Sequence, residues 1–555
     1  MKSKLKYSLL SLGLLATVAT AAAVSTDVQA QEEDNRGDLV MAMMSDVVTL
    51  DPHGSNDASS GQVRINIYER LIHTDLNMDL EPGLATEWEA VDDTTWNFTL
   101  REGTTFHSGA EFTADDVKAT FDRVLDPAVA SNVSFLYEMI EEVEVVGDYE
   151  LNIHLEYPFA PLPSHLAHNT AGIMSVELIE RDYQNAIDEA GLDITLEEYY
   201  DLRETGGEEF DEVAAEMGEF LGNVIAAEPD GTNHLKLASR SAGNEVVFDL
   251  FEDFQGGDRN FDTVTFRVIP ESGSRMAELE TGGIDIVKEL DATNYDRVLN
   301  GESTDVVEAE SLRTEYLGMN TQNAPFDDQN VRLAVAHAID RDMIVEGVLN
   351  GIGNVANGPL ASGVFGYDAE TATQVYDVEL AKEYMAESSV PDGFDTTIWV
   401  RNEEQFVNIA LYIQESLAEI GINAEIEQME WGAYLERLAN GEHDMYILGW
   451  TTVTADADYG LYVLNHSDTY GAAGNRAFFS TPELDQLLDD GRSTADPDTR
   501  LEIYKEAQEI IVSESPVVYL MHQNFIAGYN TDNISGITIT AVGDVRFEDV
   551  EFINE

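Results

Sequence analysis

Two carboxylates and three hydroxyls crowd the stretch 450–458, which reads Trp-Thr-Thr-Val-Thr-Ala-Asp-Ala-Asp. Thr451, Thr452 and Thr454 can donate or accept hydrogen bonds, and Asp456 and Asp458 can pair with a cation. Trp450 is either a flat platform for a solute or a core aromatic at a strand end. Upstream, Arg401 offers a planar fork that suits a carboxylate, with the Asn402 amide beside it; a surface ion pair is the alternative for Arg401. The chemistry on offer is non-covalent recognition of a small polar molecule. His165 and His168 have the i, i+3 spacing of a metal pair, but no third ligand of evident type accompanies them, so they are read as an ordinary helix or loop pair and no metal site is expected.

These residues need a scaffold, and the surrounding pattern supplies one. The apolar run opening at Met445 reads as a buried strand, and 396–400 reads as another. Between them, Phe406, Ile409, Ile413, Leu417 and Ile420 recur at helical spacing, ended by Gly421. Ile422, Ala424 and Ile426 alternate as a strand, and 431–440 is a second helix stopped by Gly441. The order is β-α-β-α-β, which calls for parallel strands with right-handed crossovers. Ligands of open α/β sheets lie outside the carboxyl ends of their strands, the edge that Arg401-Asn402 and 450–458 leave from.

The composition narrows the classes of function. With 107 Asp plus Glu against 29 Lys plus Arg, the formal charge of the 555-residue chain is −78, and the excess runs along its whole length. That field argues against nucleic acid as a partner. Such a surface repels itself unless salt screens it, which points to a saline medium, a merely acidic mesophilic protein being the alternative. The length predicts two or more domains, and the absence of cysteine removes disulfides, thiolate metal sites and cysteine-linked lipid. Lys2, Lys4 and Lys6, an apolar core at 9–24 and Val28-Gln29-Ala30 read as a cleavable signal peptide over 1–30, a signal anchor being the alternative; the mature chain from about Gln31 is then exported and soluble.

Along the mature chain, 39–44 is a first strand, and 87–91 with 96–100 forms a hairpin. Thr113-Ala114-Asp115-Asp116 is a capping box opening a helix striped with Val117, Phe121 and Val124. Val143–146 and 151–155 form a second hairpin about Gly147-Asp148. The region 179–222 reads as acidic surface helices, a solvated insert. Strands are expected at 264–268 and 284–287, with a helix at 274–280 between them.

Several ordered blocks carry a resemblance. They are Leu84-Ala85-Thr86-Glu87-Trp88, then 96–109, reading Trp-Asn-Phe-Thr-Leu-Arg-Glu-Gly-Thr-Thr-Phe-His-Ser-Gly, and Phe112-Thr113-Ala114-Asp115-Asp116-Val117. Further on come Tyr316-Leu317-Gly318-Met319-Asn320, Pro325-Phe326-Asp327-Asp328, Ala338-Ile339-Asp340-Arg341 and Leu417-Ala418-Glu419-Ile420-Gly421-Ile422. Over nearly the whole mature chain the sequence resembles the family 5 extracellular solute-binding proteins, the peptide, dipeptide, glutathione and nickel receptors of ABC importers. From Gly449-Trp450-Thr451 to Gly474-Asn475-Arg476 it is most similar to the glutathione-type branch.

The resemblance implies an α/β protein of the two-lobe periplasmic-binding-protein fold (class II, type 2), with an extra subdomain in lobe I. Lobe I would comprise 38–312 plus 521–555, with the subdomain at about 76–222, and lobe II 313–520. It implies an exported receptor, periplasmic or at the cell surface, that hands a small peptide-like solute to the permease subunits of an ABC importer. Such a receptor is a monomer, needs no cofactor and is not an enzyme; no Gly-x-Ser-x-Gly, His-Glu-x-x-His, phosphate loop or dinucleotide fingerprint stands in the chain. Alternatives are a receptor for a nickel chelate or another small solute, and a periplasmic peptide chaperone or hydrolase. Tyr316 and Asn320, at the implied crossing into lobe II, join the binding candidates, with hinge packing as their alternative. Two departures stand out. Gly231-Thr232-Asn233-His234-Leu235 replaces a Gly-Thr-Gly-Pro-Tyr turn, and Val453 stands where peptide receptors of the family place an aspartate for the peptide amine. Glutathione, with amine and carboxylate at one end, is therefore the first solute expected, and short α-peptides the second.

Overall fold

In the computed structural model of the protein, which describes residues 37–553 apart from 258, 371–373 and 472–473, the β-α-β-α-β pattern is realised as read. The expected signal peptide lies outside the described residues. Strand Phe394–Arg401 runs parallel to Ile422–Met429 on one side and to Met445–Thr451 on the other. Met445 to Leu448 are all buried, because both faces of this central strand are covered, one by helices, as in parallel sheets generally. The helix Glu404–Ala418 buries Phe406, Ile409, Ile413 and Leu417, the positions its spacing selects. Each fully buried Leu or Ile contributes roughly 1.5–3 kcal/mol, so this stripe outweighs the cost of ordering its own side chains. The helix cannot run on, because Gly421 follows at φ +86, a conformation that L side chains avoid.

These strands belong to a six-stranded sheet in the order Asn354–Val355, Val517–His522, Arg313–Met319, Met445–Thr451, Phe394–Arg401, Ile422–Met429. A second, seven-stranded sheet has the order Thr304–Ala309, Phe525–Asn530, Ile286–Val287, Gly37–Met43, Phe261–Val268, Glu245–Leu250, Leu235–Ser241. The chain therefore passes between the sheets twice, at 310–312 and at 523–524. The two passages are tied together by the Ser311 hydroxyl, which donates to the Gln523 carbonyl, and the first is tied to the C-terminal segment by the Leu312 N–H, which donates to the Ala541 carbonyl at 2.8 Å.

Beside the seven-stranded sheet stands a four-stranded antiparallel one, ordered Ala85–Asp92, Thr95–Leu100, Glu150–Leu155, Ile140–Gly147, which contains both expected hairpins. Its helix Ala114–Val124 opens on the expected capping box, with Asp116 accepting the Thr113 N–H at 2.8 Å. Short-range signals were accurate to a few residues: the first strand is Gly37–Met43, and the helix expected at 274–280 is Ser272–Glu280. Only Ile286–Val287 of the expected strand 284–287 pairs.

One reading needs correction. The helices Val176–Ala190, Leu196–Thr205 and Glu208–Met217 are no solvated insert. Tyr183, Tyr199, Phe210 and Met217 are buried in the same core as the first sheet's Leu39, Phe248 and Phe266. The hydroxyls of Tyr183 and Tyr199 both donate to Asp126 Oδ2, at 2.7 and 2.8 Å. Acidic residues cover the outer faces of these helices, and their number obscured the inward apolar stripe.

Candidate functional site

At the open end of the six-stranded sheet, three strand termini meet. Arg313 begins one strand and lies in register with Thr451, which ends the next; Arg401 ends the strand beyond. Arg313 Nε donates to Glu315 Oε1 at 2.6 Å, and its Nη1 to Thr451 Oγ1 at 3.4 Å. Arg401 Nε lies 3.0 Å from Glu403 Oε1, and its guanidinium stacks 3.5 Å over Phe406 and 5.6 Å from the Trp431 ring. Burial, joined by repulsion from Arg313, lowers the Arg401 pKa against the pull of Glu315 and Glu403. Burial acts on Arg313 too, but the Glu315 carboxylate outweighs it and holds that guanidinium above its ordinary value. The edge thus carries two guanidiniums and two carboxylates, with Asn402 exposed and Trp450 and Thr451 half-buried beside them.

The remaining candidates serve other ends in this structure. Asp456 accepts two hydrogen bonds from Arg500, at 2.8 and 3.0 Å, and Asp458 two from Arg492, at 3.1 and 3.2 Å. Both aspartates are buried, and a buried carboxylate stays charged only beside a committed partner. Despite the cost of burial, the two carboxylates hold the Arg492 and Arg500 guanidiniums above their ordinary values. These forks anchor the loop to the helices Pro482–Ser493 and Pro497–Glu514 rather than presenting charge at the edge. Thr452 and Thr454 are buried within the same loop, where the Thr452 N–H donates to Leu312 O at 3.0 Å and Thr454 Oγ1 accepts from the Asp456 N–H at 3.4 Å. Trp450 donates its indole N–H to Tyr459 O at 3.1 Å and packs against the Tyr459 ring, centroids 5.1 Å apart.

Tyr316 is buried edge-on to Tyr446, and burial pushes its phenol up to about 12. The Asn320 amide donates to the carbonyls of Gly441 and His443, at 3.0 and 3.2 Å, closing the turn before the central strand. The structure therefore brings Arg401, Asn402, Trp450 and Thr451 to one edge and places Thr452, Thr454, Asp456, Asp458, Tyr316 and Asn320 in its support. His165 and His168 are buried, with Nδ1 at 2.9 Å from Leu136 O and 2.8 Å from Thr170 Oγ1 respectively.

Sequence reading passed over Arg313 and Glu315. Their signal was present: opposite charges at i and i+2 of a strand share one face, and they open the strand that carries Tyr316. The replaced turn is also visible in its new form, with Thr232 Oγ1 donating to Glu69 at 2.9 Å and the Asn233 amide to Ile65 O at 2.6 Å.

The loop also reaches the four-stranded sheet. Tyr459 and Val463 are buried in one cluster with Phe98, Val143 and Ile153, and the Ala160 N–H donates to Arg492 O at 3.0 Å.

Comparison with known proteins gives this geometry its context. Residues 79–472 match the family described as bacterial extracellular solute-binding proteins, family 5. The glutathione-binding protein GsiB of Salmonella typhi is 28% identical over 552 residues, covering 98% of each chain. The dipeptide-binding protein of Escherichia coli K12 is 27% identical over 518 residues, covering 89% of this chain and 90% of its own. Among solved structures, the ABC transporter-associated periplasmic binding protein DppA of Helicobacter pylori, in complex with the peptide STSA, superposes with a TM-score of 0.78 at 28% identity, over 94% of this chain and 99% of that one. The matched region takes in the four-stranded sheet and the strand ends around Arg313, Arg401 and Trp450, so the chain belongs to the family 5 bacterial extracellular solute-binding proteins.

Proposed function

We propose that this protein is the exported receptor of an ABC importer and that it binds a small peptide-like solute, glutathione or a short peptide, at the charged edge around Arg313 and Arg401. The observation that carries this reading is the paired passage of the chain between two large sheets, at 310–312 and 523–524, directly beneath that edge. Two lobes, 38–312 with 521–555 and 313–520, would turn about those passages and close on solute, the usual motion of such receptors. Arg401 and Arg313 would take a solute carboxylate, with Trp450, Thr451 and Asn402 beside them. In this reading the protein acts as a monomer, hands its solute to membrane permease subunits, binds no nucleic acid and catalyses no reaction. The leader at 1–30 directs export, and the −78 charge suits a saline medium.

Small-angle scattering combined with calorimetry tests the proposal. In about 2 M salt, where the Debye length is only a few Å, glutathione or a dipeptide should bind and reduce the radius of gyration. Saturation without any contraction removes the closing-lobe mechanism.

A further inference from the structure

The charged edge holds a carboxylate oxygen that its neighbours leave unanswered. Glu315 is 1% exposed, and its Oε1 is taken by Arg313 Nε at 2.6 Å. Its Oε2 is buried and, among the described residues, has no hydrogen-bond partner. Arg313 donates to Oε1 and Thr451, while Arg401, which feels the Glu315 charge, forms an ion pair with Glu403 between two aromatic rings and makes no hydrogen bond to Oε2. Space for this arrangement comes from Gly449, which is in register with Glu315: a Cβ there would overlap both Glu315 Oε2 and Arg313 Nη2. Gly449 is followed by Trp450 and Thr451, all three half-buried at the open end of the strand. A buried carboxylate oxygen without a donor is costly to keep, and a cationic donor answers it best.

We propose that Glu315 Oε2 accepts an N–H from a primary ammonium of the solute, beside the guanidiniums that take the solute's carboxylate. The proposal rests on the peptide-receptor reading above and deepens it. Val453, in the loop beyond, offers no carboxylate for an amine, so Glu315 supplies the charge from a different strand. Because Glu315, Arg313 and Arg401 share one edge, the preferred head group carries ammonium and carboxylate on one carbon atom. The γ-glutamyl end of glutathione has that form, whereas a short α-peptide places them at opposite ends.

The test is calorimetry in about 2 M salt with four probes: glutathione, alanyl-alanine and the N-acetylated form of each. Wild-type protein should bind free-amine glutathione about ten- to a hundredfold more tightly than its acetylated form. Glu315→Gln keeps the shape and removes the charge, and should lose that preference, the free and acetylated forms of glutathione then binding within about threefold of each other. Gly449→Ala leaves every charge in place but displaces the carboxylate, and should weaken the free-amine form in the same direction; it carries the test should Glu315→Gln not fold. If both variants keep the wild-type preference, or wild type does not discriminate, Glu315 is not the ammonium acceptor. If wild type binds none of the four, the peptide reading itself falls, and this inference with it.

Discussion

Replacing Arg492 by alanine should cost far more stability than the loss of any surface charge. Arg492 and Asp458 are 15% and 2% exposed, and their two hydrogen bonds are 3.1 and 3.2 Å long. Without the guanidinium, the nearest basic group to Asp458 is His165 Nε2, at 4.0 Å, whose own burial lowers its pKa and leaves it neutral at pH 7. Breaking such a pair strands a buried charge and costs about 3–5 kcal/mol. At about 2.1 cal/mol/K per residue, some 520 folded residues give an unfolding entropy of about 1.1 kcal/mol/K, so Tm should fall by about 3–5 °C. The side chain also covers Tyr462 at 3.6 Å and Phe159 at 5.2 Å, and losing that packing adds to the fall. Scanning calorimetry at pH 7 in about 2 M salt measures this, because salt at that strength screens surface pairs but hardly touches buried ones. Lys382→Ala, which removes a surface pair with Glu379, is the control and should melt with wild type. An Arg492→Ala variant that also melts with wild type at pH 7 would refute the assignment of Asp458 to a buried ion pair.

Three further outcomes are expected. Arg401→Ala should weaken glutathione binding about ten- to a hundredfold, equivalent to about 1.5–3 kcal/mol, by calorimetry; wild-type affinity would return Arg401 to a purely local pair with Glu403. Thermal midpoints should rise from low salt to about 2 M, in sodium and potassium chloride alike, because screening opposes the self-repulsion of the −78 charge; a flat response refutes the saline reading. Burial, aided by nearby cationic groups, lowers the His53 and His168 rings to about 3. Their unfolded forms titrate near 6.5, so stability from them is complete above that value and is lost as pH falls towards 3. Unfolding at pH 5.5 should take up protons, and His168→Asn should reduce that uptake by about one; an unchanged uptake would refute a neutral buried His168.

Local periodicity made much of the fold legible. Both hairpins, the Thr113 capping box and the parallel strands at 394–451 follow from alternation, caps and the glycines at 421 and 441. The apolar stripe of 176–190 was as regular, yet the acidic residues around it disguised a packed wall as a solvated one. At the site, the edge residues Arg401, Asn402, Trp450 and Thr451 were legible because they sit where strands end. The true roles of Asp456 and Asp458 were not, since their partners Arg500 and Arg492 arrive from helices 44 and 34 residues further on. Spacing along a chain carries no information about such a meeting. Glu315 hid for a different reason: its opening comes from a missing side chain, Gly449, on the neighbouring strand.

The order of strands in the seven-stranded sheet fixes a sequence of events in the making of the protein. Phe525–Asn530 lies between Thr304–Ala309 and Ile286–Val287, and hydrogen-bonds to both. The last strand of this sheet to leave the ribosome is therefore an inner one. Until it arrives, Thr304–Ala309 has no neighbour to pair with, and more than two hundred intervening residues must close as a loop before those contacts form. The six-stranded sheet, drawn wholly from 313–522, can assemble in the meantime. A nascent chain with this connectivity keeps one sheet open through nearly all of its synthesis, so the core of the seven-stranded sheet is completed only after the six-stranded one.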